Sequence, residues 1–278
     1  MLWFAPALSI LLIVTLYPLG LLVWMSFHRT HFYEVREFVG LGNYTELLAS
    51  AEFWRTSLAS LLYVGGTLAL VLPVGLAAAI AFNQLGRAAP AFRVAGLLPW
   101  TLSMAVVGSI WIWILNPTFG PLTAALKSLG IPTGLMLGDP SLALLLVILV
   151  TVWWSFPYVM VMLSAALQSV PGELYEAVEI DGGSSLAKFR FVTLPHILPT
   201  VGSTALNLGI LYLTLVTLII LLTGGGPLGA TTTWSFAIFR ETVQASNIAP
   251  AAAMSVVVLI INLVLGAAYV RLTGRLTA

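Results

Sequence analysis

No cysteine occurs in the 278 residues, so disulfides and thiolate chemistry are excluded and the redox compartment leaves no mark. Charge is nearly as scarce. Asp, Glu, Lys and Arg make up 8% of the chain, against about a quarter in a soluble globular domain. A surface this poor in ionic groups cannot face water over most of its area. The formal net charge of +1 provides no footprint for nucleic acid. Histidine is limited to the scattered His28, His31 and His196, which without cysteine do not compose a structural zinc site. There is no HExxH, no Ser/His/Asp cluster and no carboxylate pair within an apolar run, so no catalytic or metal residue is assigned. The cores of the long apolar runs also hold no ionisable residue. Proton- and ion-coupled pumps place such groups there, because transported charge needs a partner in the membrane. Any uphill transport would therefore draw its energy from another chain.

What is present is hydrophobicity: 60% of residues are apolar and the mean hydropathy is +1.04. A helix needs about 20 apolar residues to cross a bilayer. Six windows qualify: 3–27, 59–83, 93–115, 141–168, 197–223 and 249–271. They are continuously apolar rather than alternating, which predicts helices and not barrel strands. The first lacks a basic leading region and exceeds the roughly 7–15 apolar residues of a signal peptide, so it reads as a span. The predicted fold is an all-α, polytopic membrane protein with about six transmembrane helices, one domain over 1–278, surrounded by membrane lipid. No internal repeat is evident.

An even number of spans places both termini on one side. Arg87, Arg93, Lys188, Arg190, Arg271 and Arg275 fall on the side of segments 84–92 and 169–196; Arg29, Arg36, Arg55, Lys127 and Arg240 fall on the other. Six basic residues in about half the sequence length, against five, orient loop 169–196 and both termini toward the cytoplasm. No basic tail precedes the first span, which leaves room for a longer natural N-terminus. On the outer side, Phe38–Tyr44 reads as a turn into a short amphipathic helix near Thr45–Trp54. Leu47, Leu48, Phe53 and Trp54 form its inward face. Gly224-Gly225-Gly226-Pro227 lacks the GK[ST] of a phosphate loop and reads as a turn closing the fifth span.

The most charged stretch is Pro171–Pro195, where Glu173, Glu176, Glu179 and Asp181 place four of the ten acidic residues within nine positions. Pro171-Gly172 turns the chain out of span four. Acids in the first turn suit a helix N-terminus, and Leu174, Ala177, Val178 and Ile180 supply apolar faces. Gly182-Gly183 stops this helix, Ser184 or Ser185 caps a second, and Pro195 is expected to end it. The result is a helix–turn–helix knob, acids on one arm and Lys188 and Arg190 on the other. On the residues alone two readings stand: a docking knob for something in water, or an interfacial helix pair that only connects spans.

Glu176-Ala177-Val178, Asp181-Gly182-Gly183, Phe189 and Leu194-Pro195 resemble the EAA loop of binding-protein-dependent ATP-binding-cassette importer permeases, with Val178 where the second alanine is usual. Phe38–Tyr44 resembles the outer-loop signature before span two in the carbohydrate-type branch, specifically the first permease subunit of maltose-type systems. Leu222–Pro227 with Thr231–Thr233 resembles that branch's signature after span five. The resemblance extends over about residues 3–272.

It implies an inner-membrane complex of two permease subunits and two ATPase subunits, fed by an extracytoplasmic substrate-binding protein. ATP and Mg belong to the ATPase, so no cofactor is expected on this chain. The loop becomes a cytoplasmic coupling helix seated in an ATPase cleft. Glu176 pairs with a basic group there, Ala177 packs where a larger side chain would clash, and Gly182 makes the turn. Glu173, Asp181 and Gly183 complete the expected coupling set. Closure of the ATPases on ATP would pull the knob and rock the spans.

A sugar path needs aromatic faces and a few polar groups at mid-membrane. Spans four and five offer Trp153, Trp154, Ser155, Tyr158, Asn207, Tyr212, Thr214 and Thr217. Each has a competing structural use, since tryptophan anchors at interfaces and hydroxyls bond neighbouring helices. Carbohydrate permeases commonly carry Asn or Asp with Phe in mid-span five, where this chain has Leu213-Thr214-Leu215-Val216-Thr217. Either the partner permease supplies polar contacts, or the solute is less hydroxyl-rich than a typical sugar. The alternative function is an ATP-independent channel or facilitator for a small polar solute, which would not need the knob.

Overall fold

The computed structural model describes residues 5–32, 34–84, 89–131 and 133–274. The first residues of the predicted span 3–27, and Arg87 and Arg275 of the charge distribution, lie outside them. Among the described residues, five helices are long and apolar enough to cross a membrane, and a sixth span results if one bent pair counts as a single crossing.

The first span is α1 (Ala5–Ser26). A two-stranded antiparallel hairpin, β1 (His28–His31) and β2 (Glu34–Phe38), follows and was not anticipated. The expected amphipathic helix is two pieces, because Ser50 is extended and its Oγ accepts from Glu52 N at 3.2 Å. α2 (Gly42–Ala49) ends there, and residues 51–54 form the first turn of the long α3 (Ala51–Gln84), which holds the second window. Of the four residues expected inward, Phe53 is buried, Leu47 half-buried, and Leu48 and Trp54 are uncovered by this chain.

The third window is α4 (Ala89–Thr101) and α5 (Met104–Ile114), bent by 98°. Leu102 and Ser103 leave the helical path, and the Ser103 Oγ caps α5 by accepting from Val106 N at 3.4 Å. α6 (Pro121–Ser128) is short, and α7 (Pro140–Gln168) is the fourth span. Asp139 caps α7, with Ser141 Oγ at 2.6 Å and Ser141 N at 2.8 Å donating to its Oδ1. Those bonds hold its carboxyl below the usual carboxylate range. After α8 (Gly172–Ile180) and α9 (Ser185–Lys188) comes a π-turn over Phe189–Thr193, then α10 (Leu194–Thr214). The fifth window breaks at Leu215-Val216 before α11 (Thr217–Leu222). β-Branched Thr214, Val216 and Thr217 weaken the helix, and Thr214 Oγ1 takes the last-turn carbonyl of Leu211 at 2.9 Å. α12 (Trp234–Phe239) and α13 (Ile248–Gly274) complete the chain.

The chain divides into two compact units, residues 1–60 with 232–264 and residues 61–231 with 265–278. In the first, the Phe38–Tyr44 signature has a structural use. Asn43 is buried, and its Nδ2 donates to the carbonyls of Ser26 and His28, each at 2.8 Å. Thr30 ties the hairpin down by accepting from Ala249 N at 2.9 Å. Trp234 donates from its backbone N to Ser60 Oγ at 2.8 Å and from Nε1 to Ser57 Oγ at 3.0 Å. In the second unit α7 is central, and α3 approaches it so closely that a Cβ on Gly75 would lie 2.4 Å from Val159 Cβ. Small residues permit such approach where apolar lipid gives helices no hydrophobic drive to associate.

Candidate coupling loop and transport path

The knob forms because its turn chemistry is correct at each step. α8 ends in a two-bond cap: Gly183 N donates to Val178 O at 2.8 Å and Gly182 N to Glu179 O at 2.9 Å. That pairing requires a left-handed residue after the helix, and Gly182 has φ +74°. Gly183 is needed for space, since a Cβ there would stand 2.4 Å from Val178 Cγ1. Ser184, not Ser185, caps α9, accepting from Ala187 N at 3.3 Å. Pro195 does not end the helix. Its ring crowds the carbonyl one turn back and it lacks an N–H; the wider π-turn over Phe189–Thr193 absorbs both defects, and an apolar helix runs through Ser185–Thr214.

The expected coupling residues project from this scaffold. Glu173, Glu176, Ala177, Asp181 and Gly182 are exposed and Gly183 is half-buried. Among the described residues, Glu173, Glu176 and Asp181 form no ion pair within the chain. Of the apolar residues expected on α8, only Val178 turns inward, together with Tyr175. Leu174, Ala177 and Ile180 face away, and Leu186 and Phe191 join them as uncovered apolar groups. Acids beside exposed apolar side chains make a surface that this chain does not cover.

The expected path residues fall into two groups. Ser155 and Tyr212 are buried against each other, with Oγ and Oη 2.6 Å apart. Ser155 gives its proton to Thr151 O at 2.6 Å, so Tyr212 is the donor between them. One turn away Thr151 repeats the device: it donates to Val147 O at 2.8 Å and lies 3.1 Å from Tyr63 Oη, which donates to it. These hydroxyls pin α3, α7 and α10 together. Trp154 is 7% exposed and lies 4.3 Å, centroid to centroid, from Trp100, which also stacks on Tyr158 at 5.1 Å. Trp153 packs edge-on to Trp111 at 5.6 Å.

Asn207 and Thr214 form the other group, uncovered on α10. Seven residues apart, they share one helix face. Ser203 lies on the same face, its carbonyl accepting from Asn207 Nδ2 at 3.0 Å, and Thr200 precedes it at helical spacing. Ser203, Thr200 and Trp100 escaped the sequence reading, although the 3- and 4-residue spacings along 200–207 carried the signal. Thr217 is half-covered at the start of α11. The Gly224–Pro227 turn is closed by Thr231, which donates to Gly226 O at 2.7 Å and lies 2.7 Å from Thr223 Oγ1.

A family described as "Binding-protein-dependent transport system inner membrane component" matches residues 71–278. The chain is 31% identical to the trehalose/maltose transport system permease protein MalF of Thermococcus litoralis over 236 residues, 84% of this chain and 80% of that one. It is 29% identical to the sulfoquinovosyl glycerol permease SmoG of Agrobacterium fabrum, covering 96% of this chain and 88% of the relative. Identity to the sn-glycerol-3-phosphate permease UgpA of Yersinia pestis is 32%, covering 92% and 87%. In fold it is similar to a chain of a bacterial alginate ABC transporter crystallised with a pentasaccharide-bound periplasmic protein. That likeness has a TM-score of 0.85 at 23% identity, covering 99% of this chain and 95% of that one. The chain therefore belongs to the inner-membrane components of binding-protein-dependent transport systems.

Proposed function

We infer that the chain is a transmembrane permease subunit of an ATP-driven importer and forms half of the path for a sugar or sugar-like solute. The observation that carries this reading is the knob: in a chain of this family, it presents Glu173, Glu176 and Asp181 beside Ile180 and Leu186, all left exposed by the described residues. Relatives named for trehalose/maltose, sulfoquinovosyl glycerol and sn-glycerol-3-phosphate support a polyhydroxylated solute.

In this reading the knob lies in the cytoplasm, as do both termini. Glu173, Glu176, Ala177, Asp181, Gly182 and Gly183 form the surface that meets an ATPase subunit. The chain itself performs no hydrolysis; ATP and Mg are held by two ATPase subunits, and a second permease completes the path opposite α10. A substrate-binding protein delivers solute on the outer side. Asn207 and Thr214 are the path residues best placed to meet solute, because their face of α10 is uncovered. Ser155, Tyr212 and Trp154 shape the wall behind it.

Affinity purification of the tagged chain from its native membrane, followed by uptake in vesicles, tests the reading. An ATPase chain should co-purify, and uptake should require both ATP and the binding protein. Uptake that proceeds at the same rate without ATP would replace this reading with a facilitator.

A further inference from the structure

The first arm of the knob, α8, is fastened at two points to the second, the helix that runs from Ser185 through the π-turn into α10. Tyr175 Oη lies 3.0 Å from Thr193 Oγ1 across 18 residues. Thr193 is 7% exposed and directs its own proton to Lys188 O at 3.4 Å, so Tyr175 donates. One turn further along α8, Glu179 pairs with Lys188 Nζ. The Lys188 side chain is 24% exposed against 64% for Glu179, so the lysine is the more covered partner.

Tyr175 and Glu179 stand four apart and share a face of α8. Lys188 and Thr193 stand five apart, which in an α-helix would turn them to diverging faces. A π-turn bonds residue i to i+5, so positions five apart stack. The irregularity that carries the chain past Pro195 thus also aligns both partners under α8. An open cleft of about 320 Å³ lies behind α8, lined by Ile80, Asn83, Leu167, Tyr175, Lys188 and Thr193. Beside this cleft, Tyr175–Thr193 and Glu179–Lys188 are polar ties between α8 and the helix leading into α10.

We propose that the Tyr175–Thr193 and Glu179–Lys188 contacts clasp α8 to the helix that continues into α10, so that the knob and α10 move as one rigid lever. A push on α8 then reaches the spans instead of being absorbed in the Gly182–Gly183 turn. All four are positioning residues, and the role rests on the loop being the coupling element. Because α10 carries Asn207 and Thr214, the lever ends on the face assigned to the path.

The test uses the complete complex in proteoliposomes with its binding protein, and reads solute moved per ATP hydrolysed. In the double variant Tyr175→Phe/Glu179→Gln this ratio should fall about three- to tenfold, the factor that one net hydrogen bond is worth, while hydrolysis continues. Lys188→Glu alone should also lower it, and adding Glu179→Lys should restore most of the loss, which a merely structural defect would not. A wild-type ratio in the double variant overturns the clasp if Glu176→Lys abolishes stimulation in the same assay. If Glu176→Lys is also without effect, the coupling reading falls and takes the clasp with it. The chain has no cysteine, so a spin label at Ile180→Cys, a position 86% exposed, reports knob mobility in the full chain in nanodiscs. The double variant, and Thr193→Val as its isosteric check, should sharpen the spectrum. Unchanged line shapes would overturn the clasp even if a variant failed to assemble with the ATPase.

Discussion

The knob at 172–193 and the middle of α7 and α10 treat polar groups in opposite ways. In the knob, Glu173, Glu176 and Asp181 stand exposed and form no ion pair among the described residues, beside bare Ile180 and Leu186. At mid-span, Tyr63, Thr151, Ser155 and Tyr212 bond one another and are buried. Water tolerates an unpaired carboxylate, whereas hydrocarbon makes an unpaired hydroxyl costly. Groups left open in the knob are therefore available to a partner, while most mid-span groups are committed to holding helices. On α10, Asn207 and Thr214 depart from that pattern, on a face that the described residues leave uncovered.

Substitutions in each region test whether its polar groups have these different uses. The largest effect is expected from Gly183→Val, whose Cβ would meet Val178 Cγ1 at 2.4 Å. Overpacking of that kind costs about 1–3 kcal/mol, enough to splay α8 from α9. Substrate-stimulated ATP hydrolysis should be lost while the protein still inserts; normal stimulation would mean that the knob tolerates another shape. Next is Tyr212→Phe, which removes the proton given to Ser155. A loss of about 0.6–1 kcal/mol is expected, read as a lower thermal midpoint in detergent with KM unchanged. A shifted KM with no loss of stability would move Tyr212 from the wall to the path. The smallest stability effect belongs to Asn207→Ala and Thr214→Val. Uncovered positions usually stay within about 0.5 kcal/mol, yet KM for uptake should rise. Unchanged uptake in both would remove this face of α10 from the path.

Much of this was legible in the sequence. The windows at 3–27, 141–168 and 249–271 coincide closely with α1, α7 and α13, because a long apolar run admits little but a helix. The knob was readable down to its Gly182 turn and a serine cap, since local bonds dictate both. What escaped depends on contacts between distant segments or on direction. A hydropathy window records length and not bending, so the 98° turn between α4 and α5 was invisible, although Pro99 and Ser103 marked the place. In the sequence Pro195 reads as a stop, because a π-turn has no one-dimensional signature. The choice between a hydroxyl that lines a path and one that pins helices, as for Ser155 against Thr214, was open until partners were known.

On the proposed function, energy enters the transporter through the knob. Glu176→Lys in the reconstituted complex, with ATP hydrolysis and solute uptake recorded together, tests it most directly. Reversing that exposed charge should abolish binding-protein-stimulated hydrolysis and uptake, with the variant present in the membrane at wild-type level. Uptake at the wild-type rate would mean that energy enters elsewhere.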